Sequence, residues 1–327
     1  MVDWVGQTLP TGTAQEGWKA ACWDGTYFYL FDDAGGSTHK VLRSPSAAAG
    51  SWALQTCPAV NVNAASGVDG TVVAVGTGGD LLRTANSGGT WTADTMPSAN
   101  NWVSVANNGS RFVAIHGGSN ANNQSAYSDN GGASWTSVAI PGTTHNWRTV
   151  MWTGTKFVAI GYNGPGDRGA ISTSTNGTSW SAPANITTVS YDPIWAANIG
   201  GTIVVVAHVP TFETVRSTDH GANWTRVDTG LTILNSGNTV SIHATPAGFY
   251  VLGYDLDQPL FSPDGITWVN ANFPGGTTVG YFLPGSHCGS PDDVNVAASS
   301  YQASFAMTVG EPPAVISSSF FHFTFGG

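Results

Sequence analysis

The chain has 327 residues, and its 10 Lys and Arg against 20 Asp and Glu give a formal net charge of −10. Such a chain lacks the basic footprint of a nucleic-acid-binding protein and the polybasic patch of a membrane-surface protein. Its longest apolar runs are strand-length, which predicts no transmembrane segment, and residues 1–20 contain neither the basic nor the apolar region of a signal peptide.

A pattern of four short strands recurs along the chain, and residues 145–186 show one copy of it. Residues 145–152 alternate in part, residues 157–161 are continuously apolar, and residues 170–173 precede a turn at Asn176 and a last strand. Alternation predicts half-buried strands, and a continuous apolar run predicts a strand buried on both faces. The copy is therefore strand, turn, strand, loop, strand, turn, strand.

Six tryptophans mark the period of this pattern. They are Trp52, Trp91, Trp135, Trp180, Trp224 and Trp268. A period in the low forties is typical of β-propellers, whose four-stranded blades stack radially and bury faces that one sheet cannot bury alone. The repeats predict blades at about residues 17–58, 60–97, 100–141, 145–186, 191–231 and 237–274.

A polar turn with the pattern Ser-x-Asp/Asn-x-Gly-x-x-Trp, or one residue shorter, precedes each of these tryptophans. Its clearest residues are Ser128, Asn130, Gly132 and Trp135; Ser174, Asn176 and Trp180; Ser217, Asp219 and Trp224; and Ser262, Asp264 and Trp268. The turn resembles the Asp-box, or bacterial neuraminidase repeat, of sialidases, sortilin-type receptors, photosystem assembly factors and phage virion proteins. The resemblance implies a propeller whose Asp or Asn side chains cap backbone N–H groups while the Trp packs beneath. It implies no activity, because the box is a structural device.

The two ends of the chain are predicted to share a further blade. Trp4 and Pro10 repeat the spacing seen after the other tryptophans, so residues 2–10 are interpreted as an outermost strand. The other three strands of that blade are predicted at residues 294–297, 304–308 and 314–317. We therefore predict an all-β fold, a single seven-bladed propeller closed by the N-terminal strand, with six blades plus an extra sheet as the alternative.

The last blade is thus assigned to residues 292–319 with residues 2–10. Residues 275–291 do not match the repeat and are interpreted as an insertion. Residues 320–327 alternate apolar and polar side chains, which suits either another strand of the closing blade or a tail that docks on a partner subunit.

The arginines and carboxylates form no sialidase-type catalytic set in the sequence. Such an enzyme needs three arginines, a Tyr nucleophile paired with a Glu, and an Asp, and the Phe/Tyr-Arg-Ile-Pro motif of the family is absent. Arg43, Arg83 and Arg216 stand beside the polar turns, which indicates a structural role and leaves Arg148 and Arg168 to line a site. We predict no catalytic residue and no enzyme activity, with a sialidase-type glycoside hydrolase as the alternative.

No cofactor and no metal is predicted. The histidines have no metal-ligand spacing, and the acidic pairs Asp32–Asp33 and Asp255–Asp257 lack the rest of a calcium loop. The three cysteines Cys22, Cys57 and Cys288 are odd in number and far apart, which predicts free thiols instead of a disulfide framework.

Departures from the repeat collect on one side of the predicted ring. We call this side the loop face: it holds the loops between the second and third strands and between successive blades, opposite the turn face that holds the polar turns. The residues predicted to contact a ligand or partner there are Trp18, Trp102, Trp147, Arg148, His116, Asn122, Tyr162, Asp167, Arg168, Tyr254, Asp255 and Tyr281. Trp, Tyr and Arg dominate binding hot spots, and aromatic faces suit sugars. The alternative for the three Trp is packing between blades.

Three functional hypotheses follow. The first is a non-enzymatic phage virion component, on the tail or capsid exterior, that binds host surface glycan or another virion protein; it rests on the Gly-, Ser-, Thr- and Asn-rich, charge-poor composition. The second is the sialidase-type hydrolase. The third is a cytoplasmic assembly factor or scaffold. All three predict no nucleic-acid partner and no membrane insertion, and residues 320–327 offer a route to self-association.

Overall fold

The computed structural model describes residues 4–8, 10, 18–32, 39–48, 50–117, 124–142, 145–162, 168–187, 193–207, 212–231, 240–253, 260–270, 287–289, 295–298 and 305–309. The regular structure in these ranges consists of 28 strands and one 3-10 turn at Thr77–Gly79. A search of the same ranges finds no helix with the length and apolar character needed to cross a bilayer.

The strands form seven antiparallel sheets of four strands each. Six sheets are continuous in the chain, and in each of them the strands follow one another in chain order from the innermost to the outermost. The first three are β2–β5 (Trp18–Trp23, Phe28–Asp32, Val41–Ser44, Ala53–Gln55), β6–β9 (Ala64–Val68, Thr71–Val75, Asp80–Thr84, Thr92–Thr95) and β10–β13 (Trp102–Asn107, Phe112–His116, Gln124–Ser128, Thr136–Ala139). The next three are β14–β17 (Asn146–Trp152, Phe157–Tyr162, Ala170–Ser174, Ala184–Asn185), β18–β21 (Pro193–Ile199, Thr202–Ala207, Phe212–Ser217, Thr225–Leu231) and β22–β25 (Val240–Thr245, Gly248–Gly253, Leu260–Ser262, Val269–Asn270).

The seventh sheet joins the two ends of the chain. Its strands are β1 (Trp4–Thr8), β26 (His287–Gly289), β27 (Asn295–Ala298) and β28 (Phe305–Val309), in the order β1-β28-β27-β26. The register of β1 on β28 runs from Trp4 opposite Val309 to Thr8 opposite Phe305. The fold is an all-β propeller of four-stranded blades, and six continuous blades with one further sheet fit the stated alternative.

The strands of this seventh sheet correct the predicted positions. The first strand was expected at residues 294–297, but β26 at residues 287–289 is the strand that pairs with β27, so part of the expected insertion is a strand. The strands at 295–298 and 305–309 are therefore second and third in the sheet, and β1 completes it. Residues 314–317 and 320–327 lie outside the described residues.

The second strand of each continuous blade is buried on both faces, as predicted. All five residues of β3 and β11 are buried, and Ile203–Val206 of β19 are fully covered. Their side chains form apolar clusters along the ring, and five of the described clusters are each shared by two consecutive blades. One of these unites Val113 and Ile115 with Trp147 and Phe157. Blade-to-blade stacking therefore supplies the core, which is the burial that a single sheet lacks.

The polar turns are closed by a repeated set of hydrogen bonds. In the third blade the Ser128 hydroxyl accepts from the Gly132 N–H at 2.9 Å, and Asn130 Oδ1 accepts from the Ser134 N–H at 2.9 Å. The indole N–H of Trp135 donates to the Gly132 carbonyl at 3.1 Å. These bonds satisfy backbone groups that a tight turn leaves without strand partners.

The bonds to the Ser hydroxyl and to the Asp or Asn side chain recur in the other turns, including the two that are one residue shorter. Ser217 and Asp219 accept from the N–H groups of Gly221 and Asn223, and Ser174 and Asn176 from those of Gly177 and Ser179. Ser262 and Asp264 accept from the N–H groups of Gly265 and Ile266. Trp180 and Trp268 are each 7% exposed, whereas Trp135 and Trp224 are half-buried.

Gly177 shows why each turn needs glycine. Its φ is +71°, and a Cβ there would lie 2.5 Å from Cγ2 of Val113 in the preceding blade. L-residues disfavour this φ, and the contact leaves no room for a side chain. The turn of one blade thus packs directly on the second strand of the blade before it.

Acid is expected to weaken the Asp219 turn selectively. Hydrogen bonds from the backbone and side chain of Asn223, and from Ser217, lower the pKa of Asp219 to about 2. Because the folded pKa lies below the unfolded value of about 3.9, the stabilisation is complete above pH 4 and is lost as pH falls towards 2. We expect Asp219→Asn to lower the urea midpoint at pH 6 and to match the wild type near pH 2.

Asn130 provides the reciprocal control, because it is an amide at the same position of the turn two blades earlier. Asn130→Asp should introduce a stability component that is present at pH 6 and lost on acidification. Parallel pH profiles for the wild type and Asp219→Asn would contradict the assignment of the shift to this turn.

Candidate functional site

The innermost strands enclose a cavity of about 310 Å³ on the axis of the ring. Its lining comes from β2, β6, β10, β14, β18 and β22, which places it in the central channel. Most lining side chains are small or apolar, and the larger polar ones among the described residues are Asn63, Arg148, Trp195, Asn198 and His243. The volume is near the lower end of that of small-molecule sites, about 300–1,000 Å³.

A shared irregularity shapes the loop-face end of this channel. The pairing of four innermost strands with their neighbours shifts register near the start of each strand, just after Trp18, Trp102, Trp147 and Pro193. The residues at the shift are Lys19, Val103, Arg148 and Ile194. Such bulges re-aim side chains and are common beside functional sites. Two of these residues, Val103 and Arg148, line the cavity.

Arg148 and Tyr162 meet at this end of the channel. The two predicted site residues lie on adjacent strands, and Nη2 of Arg148 donates to the Tyr162 hydroxyl at 2.7 Å. The guanidinium carbon is 5.0 Å from the centroid of the tyrosine ring, within the range of a cation–π contact. Nε of Arg148 is buried and has no hydrogen-bond partner. Tyr162 therefore fixes the position of the Arg148 guanidinium, whose Nε–H group has no acceptor.

Five other arginines are engaged in structural contacts. Arg43 donates to the Ser87 carbonyl and Arg216 to the Asp264 carbonyl, each in the polar turn of the next blade. The remaining three form the ion pairs Arg83–Asp94, Arg111–Asp129 and Arg226–Glu213. The hydrogen bond from Arg111 lowers the pKa of Asp129. No cluster of three arginines of the kind that sialidases use arises from these contacts.

Burial corrects four of the predicted contact residues. Trp18, Trp102 and Trp147 are 0% exposed, and His116 is 1% exposed. Each Trp stands at the start of an innermost strand, where its side chain packs in an apolar cluster; Trp102 also donates to the Ser98 carbonyl and packs edge-on against His116. These side chains have no surface to offer a ligand. Trp102 and Trp147 pack between blades, as in the stated alternative, whereas the described neighbours of Trp18 all belong to its own blade.

The other predicted contact residues divide into two groups. Tyr162 is half-buried and Arg168 is exposed beside β16, so both remain accessible on the loop face. Asn122, Asp167, Tyr254, Asp255 and Tyr281 lie outside the described residues. The structure thus brings Arg148 and Tyr162 together and excludes the buried Trp18, Trp102 and Trp147 from the candidate site.

Three cavity residues were missed by the sequence analysis. Trp195 lines the channel one position after the register shift of β18, whereas the other blades place their Trp before it. Asn63 donates to Asn101 Oδ1 and to the Trp102 carbonyl, and His243 contacts the Ser241 hydroxyl at 2.8 Å. An alignment of the four innermost strands that carry a bulge would have shown the position of Trp195.

Buried titratable groups occur away from the channel. His39 Nδ1 lies 2.7 Å from Asp32 Oδ1, and both side chains are essentially covered. Cys57 and Cys22 are free thiols, as predicted, and burial together with the Asp32 charge raises the pKa of Cys57 to about 11. The part of the chain that the structure describes contains no group of three His, Cys, Asp or Glu side chains arranged to hold a metal.

Comparison with protein-family models gives no match, and comparison with curated proteins gives none either. By contrast, 1329 solved chains are similar, so the likeness is to a widespread architecture and not to one function. YCF48 from Cyanidioschyzon merolae aligns with a TM-score of 0.65 over 95% of this chain and 99% of that chain, at 14% identity. The fold is that of a WD40-like β-propeller.

Two further structures agree with this fold. The Pan2 WD40 domain of Neurospora crassa aligns with a TM-score of 0.64 at 9% identity, covering 91% of this chain and 90% of that one. A structure of YCF48 bound to a D1 peptide aligns with a TM-score of 0.55 at 14% identity, covering 76% and 78%. At such identities the likeness concerns the fold alone. These three structures lend no support to a resemblance to sialidases or phage virion proteins.

Proposed function

We propose that this WD40-like propeller is a non-enzymatic binding module whose loop face contacts a protein partner around the channel end. The observation that supports this most is the Arg148–Tyr162 pair, which holds a cation with a buried, unpaired N–H beside the cavity. A YCF48 propeller of similar fold is known bound to a peptide, which favours a protein partner over a glycan. Burial of Trp18, Trp102 and Trp147 removes three of the aromatic faces that were predicted for a sugar.

We also propose that the ring has seven blades and is closed by β1. The innermost strands contact in an unbroken circuit, since β22 contacts β26 and β26 contacts β2. The pairing of β1 with β28 then joins the two chain ends within one sheet. Closure of this kind removes the exposed edges of an open stack of sheets.

We infer, in addition, that the polar turns are Asp-boxes. The capping of turn N–H groups by Asn130 and Asp219 supports this, as does the indole bond of Trp135. A place on a phage virion, with a host glycan or another virion protein as the target, remains our prediction from composition. The cellular assembly factor and the sialidase-type hydrolase remain the alternatives.

Incubation with a fluorogenic sialoside is expected to give no turnover. Five of the seven arginines are engaged in structural contacts, which leaves fewer than the three that a sialidase uses for the substrate carboxylate. A glycan array on the same sample tests the glycan hypothesis in parallel. Turnover that is abolished by Arg148→Ala or Arg168→Ala would overturn the binding-module proposal.

A differential binding experiment tests the loop face. The wild type, Arg148→Met and Lys156→Met are immobilised and exposed to the same extract; Lys156 lies in the β14–β15 turn of the same blade, on the turn face. We expect a protein retained by the wild type and by Lys156→Met to be lost from Arg148→Met. Retention by Arg148→Met with loss from Lys156→Met would place the contact on the opposite face.

A further inference from the structure

Two buried N–H donors beside the channel cavity lack hydrogen-bond partners. They are Nε of Arg148 and the indole Nε1 of Trp195, and both residues line the cavity. A buried donor without an acceptor loses its hydration and gains nothing in return, so an acceptor from a water molecule or a ligand would stabilise it. Other indole N–H groups, such as those of Trp52 and Trp180, also lack a partner, but Arg148 and Trp195 are the ones that line the cavity. The cavity therefore offers unused hydrogen-bond donors at two points on its wall.

The charge of the cavity is as informative as its donors. Among the lining residues that the structure describes, Arg148 is the only Lys or Arg, and none of the described carboxylates forms an ion pair with it. One guanidinium balances one negative charge. Because the whole chain has a net charge of −10, its field opposes polyanions, and a group with several charges fits poorly.

Tyr162 fixes the direction in which the guanidinium can act. Its hydroxyl accepts from Nη2 and its ring lies under the cation, so the side chain is held before any ligand arrives. A planar guanidinium with an open edge matches the two oxygens of a carboxylate, and such charge-assisted pairs are the stronger hydrogen bonds of proteins.

We propose that the channel cavity is a carboxylate site in which Arg148 receives one carboxylate group, with Trp195 as a second donor on the wall. The volume of about 310 Å³ suits a small acid or one acidic side chain. This inference rests on the proposed function, because the carboxylate is expected to belong to a peptide segment of the protein partner that enters the cavity. A free carboxylic acid has the same chemistry, and the experiment separates the two sources.

The arginine Nε–Hε resonances of ¹⁵N-labelled protein test the site directly. The chain has seven arginines, so Arg148→Lys identifies its peak by disappearance, and Trp195→Phe identifies the Trp195 indole peak. Acetate should shift these two peaks saturably, with a dissociation constant on the order of 1–10 mM for so small a ligand. Acetamide, its neutral isostere, should shift neither at equal ionic strength.

Two variants supply the controls. Arg148→Lys keeps the charge but loses the forked donor, and we expect acetate affinity at the Trp195 peak to fall at least about tenfold. Arg226→Lys, at an arginine of the outermost strand β21 that pairs with Glu213 outside the cavity lining, should leave the affinity unchanged. Unchanged positions of the other arginine peaks in both variants show that the fold is intact. No saturable shift, or equal affinity in Arg148→Lys, would overturn the site.

Paired peptide amides distinguish the sources and separate this inference from the proposed function. A short peptide with a single Glu should displace acetate and bind more tightly than acetate, whereas its Gln counterpart should not. Acetate binding without an Arg148-dependent protein partner would support the site as one for a free acid and refute the proposed function. An Arg148-dependent partner without any acetate or Glu-peptide shift would refute the site and leave the proposed function standing.

Discussion

Replacing Trp102 with alanine should lower the free energy of unfolding by about 3–5 kcal/mol, the range for large-to-small core changes of Trp and Phe. Trp102 is completely buried between the second and third blades, in a cluster with Val73 and Val75. Alanine leaves a cavity at a blade junction and removes the hydrogen bond to the Ser98 carbonyl. Urea unfolding followed by fluorescence measures the change.

Leu54→Ala is the matched control, because Leu54 is an apolar residue on an outermost strand and is 54% exposed. Its effect should stay within about 0.5 kcal/mol, as for surface substitutions in general. If Trp102→Ala unfolded like the wild type but lost a ligand or partner, then Trp102 would be a contact residue, and its assignment to the core would be wrong.

Removing residues 1–10 should lower the melting temperature by about 5–10 °C or cause aggregation. The deletion takes away β1, whose register with β28 runs through five residue pairs from Trp4–Val309 to Thr8–Phe305. The loss exposes an unpaired strand edge and opens the sheet that contains both chain ends. Calorimetry and size-exclusion chromatography record the two consequences.

Strand complementation provides the control for the deletion. A synthetic peptide of residues 1–10 should restore melting in the truncated chain, and a scrambled peptide of the same composition should not. A truncated protein with wild-type melting and no tendency to associate would show that the ring closes without β1.

The elements with strong local patterns could be predicted from the sequence. The second strands are continuous apolar runs such as Phe157–Ile160, because a strand that is buried on both faces has few positions for polar side chains. The closing sheet could be predicted only in part. β26 is three residues long within a segment without repeat character, so no local signal distinguishes its strand at His287–Gly289 from a loop. Only pairing with β27 defines it.

The charged residue of the candidate site could be predicted from the sequence, but the orientation of its packed neighbours could not. Arg148 was singled out because the other arginines had evident structural positions, and Tyr162 because it follows a buried strand. Trp147 precedes Arg148 by one residue, yet it points between blades while Arg148 lines the channel. That difference comes from the bulge at residue 148, which a sequence pattern of period two does not reveal.

Hydroxyl-radical footprinting of the protein with its retained partner tests the central claim, loop-face binding, most directly. Tyr162 reports on the channel end of the loop face, and Ile266, 47% exposed in a polar turn, reports on the turn face. We predict that the partner protects Tyr162 from oxidation and leaves Ile266 as reactive as in the free protein. Protection of Ile266 with an unchanged Tyr162 would contradict the account.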